Sequence, residues 1–313
     1  MARKLPRLAL SILLSALSGA AFAQEDTRRV VKAGADGRFE MQIDMTTTLR
    51  GHASRDVMAF RARVDEVVAH LRAMPAVNAP PYPTCSRLDS WLERNDIEPM
   101  LSATLGVHTP EVTQPGRCGA KSEMGVAIAL NSMTGFLPPA HVRLTEPGRD
   151  WYVLPIKRQG DEFIEIEGDR ILFFESGRTP FRPVSTERYA RQQLAELTSN
   201  GAHDGGELGD LLRRAIASWS PEQLALPACV NDPASPIEQL EDALVRPHEH
   251  CPADRTVLEV HQAHLDRSRP ARLQLIAVSN PPRASLESDG SWNLRTRVWN
   301  TLDHGFLRGQ IGR

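Results

Sequence analysis

The chain has 313 residues, 41% of them hydrophobic and 24% charged, with 37 basic against 39 acidic side chains and a formal net charge of −2. Those fractions belong to a globular chain that buries a core, and they exclude a disordered or low-complexity one. The near balance of charge, mixed along the chain, argues against a nucleic-acid partner or an anionic membrane surface.

The first 23 residues read as an export signal. Arg3, Lys4 and Arg7 form a basic start, Leu8 to Leu17 a short apolar run, and Ala21-Phe22-Ala23 a small-x-small cleavage site. The apolar run is too short to span a bilayer, and no later stretch approaches the ~18 apolar residues that a span needs. Cleavage after Ala23 removes three basic residues and leaves 34 basic against 39 acidic. The expected product is periplasmic or secreted, without an integral membrane segment. Cys85, Cys118, Cys229 and Cys251 all lie in the mature part. An even count in an oxidising compartment points to two disulfides. Three connectivities are open, and Cys85–Cys118 with Cys229–Cys251 is favoured because sequence-near pairs close small loops.

In chain order, Phe39 to Met45 alternates apolar and polar residues as a half-buried strand does. Val57, Phe60, Val64, Val67, Val68 and Leu71 form one helical stripe, with Ser54 placed to cap it and Pro75 to stop it. Four prolines between Pro75 and Pro83 imply an extended connector. Ser86 is placed to cap a short helix through Trp91-Leu92, and Gly125 to Leu130 fits either a buried strand or a short apolar helix. The loop-rich stretch 136–150, with a short strand near His141 to Leu144, is a natural boundary between lobes 24–145 and 146–313.

A meander organises the second lobe. Trp151 to Arg158, Glu162 to Glu167 and Arg170 to Glu175 read as strands, joined by turns at Gln159-Gly160-Asp161 and Gly168-Asp169. An extended piece from Phe181 to Val184 leads into a Ser185-capped helix over Thr186 to Leu197, and a further helix covers Leu208 to Trp219. Ser220-Pro221-Glu222-Gln223 and Ser235-Pro236-Ile237-Glu238 both place Ser, Pro and a Gln or Glu as a capped helix start. Thr256 to Val260 and Arg272 to Val278 read as strands, Asp289-Gly290 as a turn, and a last helix starts near Thr301 or Asp303. Blocks of strands and helices without regular alternation define an α+β fold: an antiparallel meander with packed helices, divisible into two lobes.

No phosphate-cradling, dinucleotide, nucleophile-elbow or His-Glu-x-x-His pattern occurs. His248, His250, His261 and His264 fall within 17 residues, beside Glu249 and Cys251. Imidazoles in such density suit zinc or copper. The four match no tight ligand motif, a strand separates the two pairs, and Cys251 is expected in a disulfide. Solvated loop histidines are therefore the default, and no cofactor is predicted. Glu165 and Glu167 share one strand face opposite Ile164 and Ile166, which reads as an exposed sheet surface beside Asp161, Glu162 and Asp169. His203-Asp204-Gly-Gly reads as a connector or ligand loop.

The stretch Thr179-Pro-Phe-Arg-Pro-Val-Ser-Thr-Glu-Arg-Tyr-Ala-Arg-Gln-Gln-Leu194, where a Pro-Val turn launches a helix with an early Tyr, resembles a segment of exported proteins of Gram-negative bacteria that have no assigned activity. The helix end at Met74 with Pro75 to Pro81 is similar too. This resemblance implies export from a Gram-negative cell and carries over no activity, cofactor or site. The expected role is a non-catalytic binding or structural component of the periplasm, with a protein partner in the envelope. The alternative is an envelope hydrolase, metal-assisted through His248, His250, His261 and His264.

Overall fold

The computed structural model describes residues 31–33, 39–45, 53–80, 85–95, 100–109, 112–114, 117–118, 124–137, 142–146, 149–199, 203–230, 244–280 and 289–313. The first part of the chain supplies β1 (Val31–Ala33), β2 (Phe39–Met45), α1 (Ser54–Ala73), the single turn α2 (Pro75–Asn78), β3 (Ser86–Asn95), β4 (Met100–His108), β5 (Val112–Gln114), β6 (Arg117–Cys118) and β7 (Met124–Leu130). Next come β8 (Val142–Glu146), β9 (Arg149–Val153), β10 (Ile156–Gly160), β11 (Phe163–Ile166), β12 (Arg170–Phe174) and β13 (Phe181–Pro183). The remainder forms α3 (Thr186–Ser199), α4 (His203–Ser218), α5 (Pro221–Ala225), β14 (Ala228–Cys229), β15 (Arg246–Pro247), β16 (Val257–Val260), β17 (Leu275–Ser279), α6 (Asp289–Thr301) and α7 (His304–Gln310).

Nine strands form one sheet in the order β1-β2-β3-β4-β7-β17-β12-β11-β10, antiparallel except for the β2–β3 pair. The expected α+β class with an antiparallel meander is what the chain adopts. The large sheet takes strands from both sides of residue 145. Four more strands, β13-β16-β9-β8, form a second sheet.

Alternation along the strands gives the large sheet two different faces. One face presents Leu88, Leu92, Leu101, Leu105, Val107, Ile128, Ile171, Phe173 and Ile276 to α1, α6 and α7, with Phe60, Val64, Val67 and Leu71 of α1 buried against it. The stripe expected on α1 is therefore core. Each such side chain contributes about 1.5–3 kcal/mol by leaving water. The opposite face, over β11, β12 and β17, packs Ile164, Ile166, Leu172, Phe174 and Leu275 against Phe181 and Leu258 of the second sheet. Beyond that sheet, Trp151, Val153 and Val257 meet Tyr189 and Ala190 of α3 and Leu212 of α4.

Several local expectations need correction. Ser86 opens a ten-residue strand, not a helix: Leu88 and Leu92 alternate with Arg87, Asp89 and Trp91, a period of two. Trp151 to Arg158 is not one strand. It breaks at Leu154-Pro155, where proline has no N–H for a ladder, and its halves join different sheets. The cap of α1 is Ala53 rather than Ser54, and Pro75 opens α2 as its first residue instead of an extended connector. Ile166 pairs with Arg170, so the hairpin turn has three residues, with Gly168 and Asp169 both left-handed at φ 76° and 54°. Asp289-Gly290 begins α6 and His203-Asp204 begins α4, where a turn and a connector were expected. The capping box at Ser220 and Gln223 forms as expected. The matching Ser235 start lies outside the described residues.

One buried side chain ties the two halves of the large sheet. Asn131, at φ 51° and fully buried just after β7, donates through Nδ2 to the carbonyls of Leu101 and Arg272. Its Oδ1 accepts from the backbone N–H groups of Gln274 and Leu275, at 2.8 and 3.3 Å. Asn131→Asp keeps the shape but turns a double donor into an acceptor facing two carbonyl oxygens. We expect it to lower urea stability by about 3 kcal/mol. Asn131→Gly, which tolerates the left-handed backbone, should also be destabilising because the bonds are lost. A variant within about 0.5 kcal/mol of the wild type would show that the clamp contributes little.

Candidate functional site

The polar half of the large sheet is the distinctive surface. Beyond the apolar contact with the second sheet, the same face continues over β3 and β4. There the register sets Arg87 opposite His108, Asp89 opposite Gly106 and Trp91 opposite Thr104. Asp89 and His108 form the floor, each with a side chain no more than 3% exposed, and Nε2 of the imidazole lies 3.2 Å from Asp89 Oδ2. Arg87 Nε donates to Asp89 Oδ1 at 3.1 Å. Arg87, Trp91 and Thr104 are half-buried around this floor. Gly106 adds no side chain between them, and Trp91 reaches across to meet His108 edge-on at 6.4 Å. The carboxylate is thus bonded to a guanidinium and lies close to an imidazole, with an indole beside them.

Two other buried carboxylates are each held by two basic side chains. Glu259 on β16 accepts from Arg182 Nε at 2.6 Å and from both terminal nitrogens of Arg188 at 2.9 and 3.0 Å. Arg188 also lies over the Trp151 ring at 5.5 Å. Burial pushes the Glu259 carboxyl up, and the Arg188 and Arg182 bonds outweigh this and hold it below its ordinary range. Glu165 was expected on an exposed face but is buried on the helix-covered face. A bulge between Ile156 and Arg158 turns two successive residues toward it, so Lys157 Nζ at 3.2 Å and Arg158 Nε at 2.7 Å both reach one carboxylate. Again burial raises, and the bonds from Arg158 and Lys157 prevail to lower, its pKa. These two networks join elements of the fold. Arg87, Asp89 and His108 likewise join β3 to β4.

The four histidines weighed as metal ligands sit at opposite ends of β16. His248 and His250 are exposed on the turn before it, next to Cys251, and His261 and His264 follow it. The four residues of β16 alone span about 13 Å. Among the described residues no group of three or more His, Cys, Asp or Glu side chains could hold a metal ion. Cys229 and Cys251 are joined as expected, with Cα atoms 5.6 Å apart. Cys85 is also disulfide-bonded, whereas the side chain of its expected partner, Cys118, lies outside the described residues. Asp161, Glu162, Glu167 and Asp169 occupy turn positions around β11 and form no shared site with Glu165. Among the described residues, no helix is long and apolar enough to cross a membrane. No protein-family model, no curated protein and no solved structure matches the chain.

His264 has a different role. Its side chain is buried against the core, and Nδ1 donates to the His261 carbonyl at 2.6 Å. Burial drives its pKa down from 6.5 to about 4, against the opposing pull of that bond. The unfolded chain therefore takes up a proton between those values that the folded chain refuses. Stability is complete above about pH 6.5 and declines as the pH falls toward 4, by about 2 kcal/mol between pH 7 and 5. His304, whose pKa is lowered by burial, adds to the same slope. His264→Gln cannot be charged and should flatten this part of the urea midpoint-against-pH curve. An unchanged slope in the variant would remove His264 from the account.

Proposed function

We propose that this protein is an exported, non-catalytic binding component of the Gram-negative periplasm, released by cleavage after Ala23, and that it recognises its ligand on the polar half of the large sheet. The observation that carries this reading is the buried Asp89, bonded to Arg87 and 3.2 Å from His108, beneath a half-buried Trp91. Removing a carboxylate and an imidazole from water is costly, and a hydrophobic floor would hold the strands together at least as well. A recognition role explains why polar residues occupy those positions. The Cys229–Cys251 bridge supports an oxidising compartment.

An envelope hydrolase draws on the same contact, since an imidazole beside a carboxylate is the usual pairing for general-base catalysis. Binding ranks first because Asp89 is shared with Arg87, which makes the pair part of an anchored ion network. The metal-assisted form of that hydrolase has its four histidines divided between the two ends of β16.

Native mass spectrometry of protein purified from the periplasm without chelator tests both export and binding. The denatured mass should correspond to a chain that begins at Gln24 and has lost four hydrogens to two disulfides. The native mass should carry an added small molecule that Trp91→Ala loses. A bare native chain, or an adduct indifferent to Trp91, would count against this surface. Ester turnover abolished by His108→Ala would favour the hydrolase.

A further inference from the structure

We propose that α7 is an acid-released latch. It closes on the helix-covered face of the large sheet while the His304 imidazole is neutral, and it undocks ahead of the rest of the fold when that imidazole is protonated. Three side chains of this seven-residue helix carry the argument. His304 opens it, directly after Asp303, whose carboxylate accepts from the Phe306 N–H at 2.8 Å. The His304 ring lies 5.8 Å from the rings of both Phe173 on β12 and Trp299 on α6. Its Nε2 is buried with no hydrogen-bond partner. Phe306 stacks on His70 of α1, with ring centroids 3.7 Å apart and planes 6° from parallel, and Nε2 of His70 is unpartnered in the same way. At the far end Gln310 is 3% exposed, and its Oε1 also lacks a partner.

Buried polar atoms without partners subtract from what Leu307, fully buried, and Phe306, half-buried, gain by leaving water. The remaining polar attachments among the described residues are few. Arg308 and Glu162 form an exposed ion pair at 3.8 Å, which holds little. Beyond the helix, the Gly312 N–H donates to the Leu273 carbonyl at 2.7 Å, and the Leu273 N–H to the Arg313 carbonyl at 3.3 Å. A short helix held this way opens at lower cost than the nine-stranded sheet beneath it.

The groups around His304 set the sign of the response. A protonated imidazole carries an N–H on both nitrogens, so the orphaned Nε2 position becomes a buried charged donor. Burial opposes that charge most strongly, Glu165 of β11 and Asp303 favour it, and Arg158 of β10 opposes it, with a net lowering of the pKa. Glu165 gives limited help because Lys157 and Arg158 already hold its carboxylate. From the same sheet face β12 presents Ile171 and Phe173, which are apolar, and α1 presents His70 through the Phe306 stack. Once undocked, the ring is hydrated and titrates near its ordinary 6.5. The docked form therefore refuses a proton that the undocked form accepts. Docking is complete above that pH and weakens as the pH falls below it.

Hydrogen-exchange mass spectrometry of the intact mature protein at about pH 7.5 and about pH 5.5, corrected for the intrinsic pH dependence of exchange, tests the latch. Peptides from 303–313 should lose protection about threefold or more beyond any loss in β4 and β17. His304→Gln, which takes up no proton, should keep α7 protected at both pH values. His70→Phe preserves the stack and should leave the acid response in place. A melting temperature near that of the wild type at the higher pH shows that each variant is folded. If His304→Gln does not fold, His304→Phe, which fills the same aromatic space without titrating, takes its place and must abolish the response. The proposal is overturned if α7 exchanges in step with the core strands at both pH values. It is overturned equally if the acid response survives the loss of the His304 imidazole or disappears in His70→Phe.

Discussion

The antiparallel contact between β7 and β17 is the joint on which this molecule depends. The two strands pair from Ala127 with Ser279 to Leu130 with Ile276, although about 150 residues of chain separate them. On one side of the joint lie β4, β3, β2 and β1; on the other lie β12, β11 and β10. Both helix-face and second-sheet packing converge on it, since Ile276 and Val278 face the helices while Leu275 and Ala277 face the second sheet. A pairing of such sequence separation must close a long loop before it gains its contacts, an entropic cost that the packing on both faces offsets. Asn131 sits where that joint begins and gathers four backbone groups from two segments, Leu101 of β4 and Arg272 to Leu275 at the start of β17, into one bonded cluster.

Where a single period dominates, the residues announce their structure. The stripe from Val57 to Leu71 and the apolar run of Arg170 to Phe174 are of this kind, and both form as expected. Strand β3 was hidden because its second face is polar: Arg87, Asp89 and Trp91 interrupt the apolar residues in a way that mimics a short helix with a serine cap. Strand β9–β10 was over-read because Pro155 matters only once the two halves have different sheets to join. Helix α6 was missed because Asp289-Gly290, after two prolines, has the composition of a turn.

The candidate site was illegible for a related reason. Arg87 and His108 are 21 residues apart and become neighbours only through the register of β3 with β4. A trace of it exists in the polar residues of a strand that also carries Leu88 and Leu92, but without the register nothing selects His108 as their partner. The histidines near residue 250 show the converse. Closeness in sequence suggested a common site, and an intervening strand carries the two pairs apart. Acidic residues misled in a third way: Glu165 alternates with isoleucines like a surface residue, yet the helices that cover that face bury it, and a bulge supplies the two cations that make burial tolerable.

The bridge between Cys229 and Cys251 has a consequence for how the chain responds to cleavage. It fastens the short β14–β15 hairpin, whose Cys229 also bridges to Thr256 at the approach to β16, and it encloses the 21 residues between the two cysteines. A protease that cuts anywhere within that span opens the chain without releasing either piece. The two fragments remain one covalent molecule, travel together until a thiol reductant is added, and keep β16 anchored between its neighbours in the second sheet. Damage there is topologically silent.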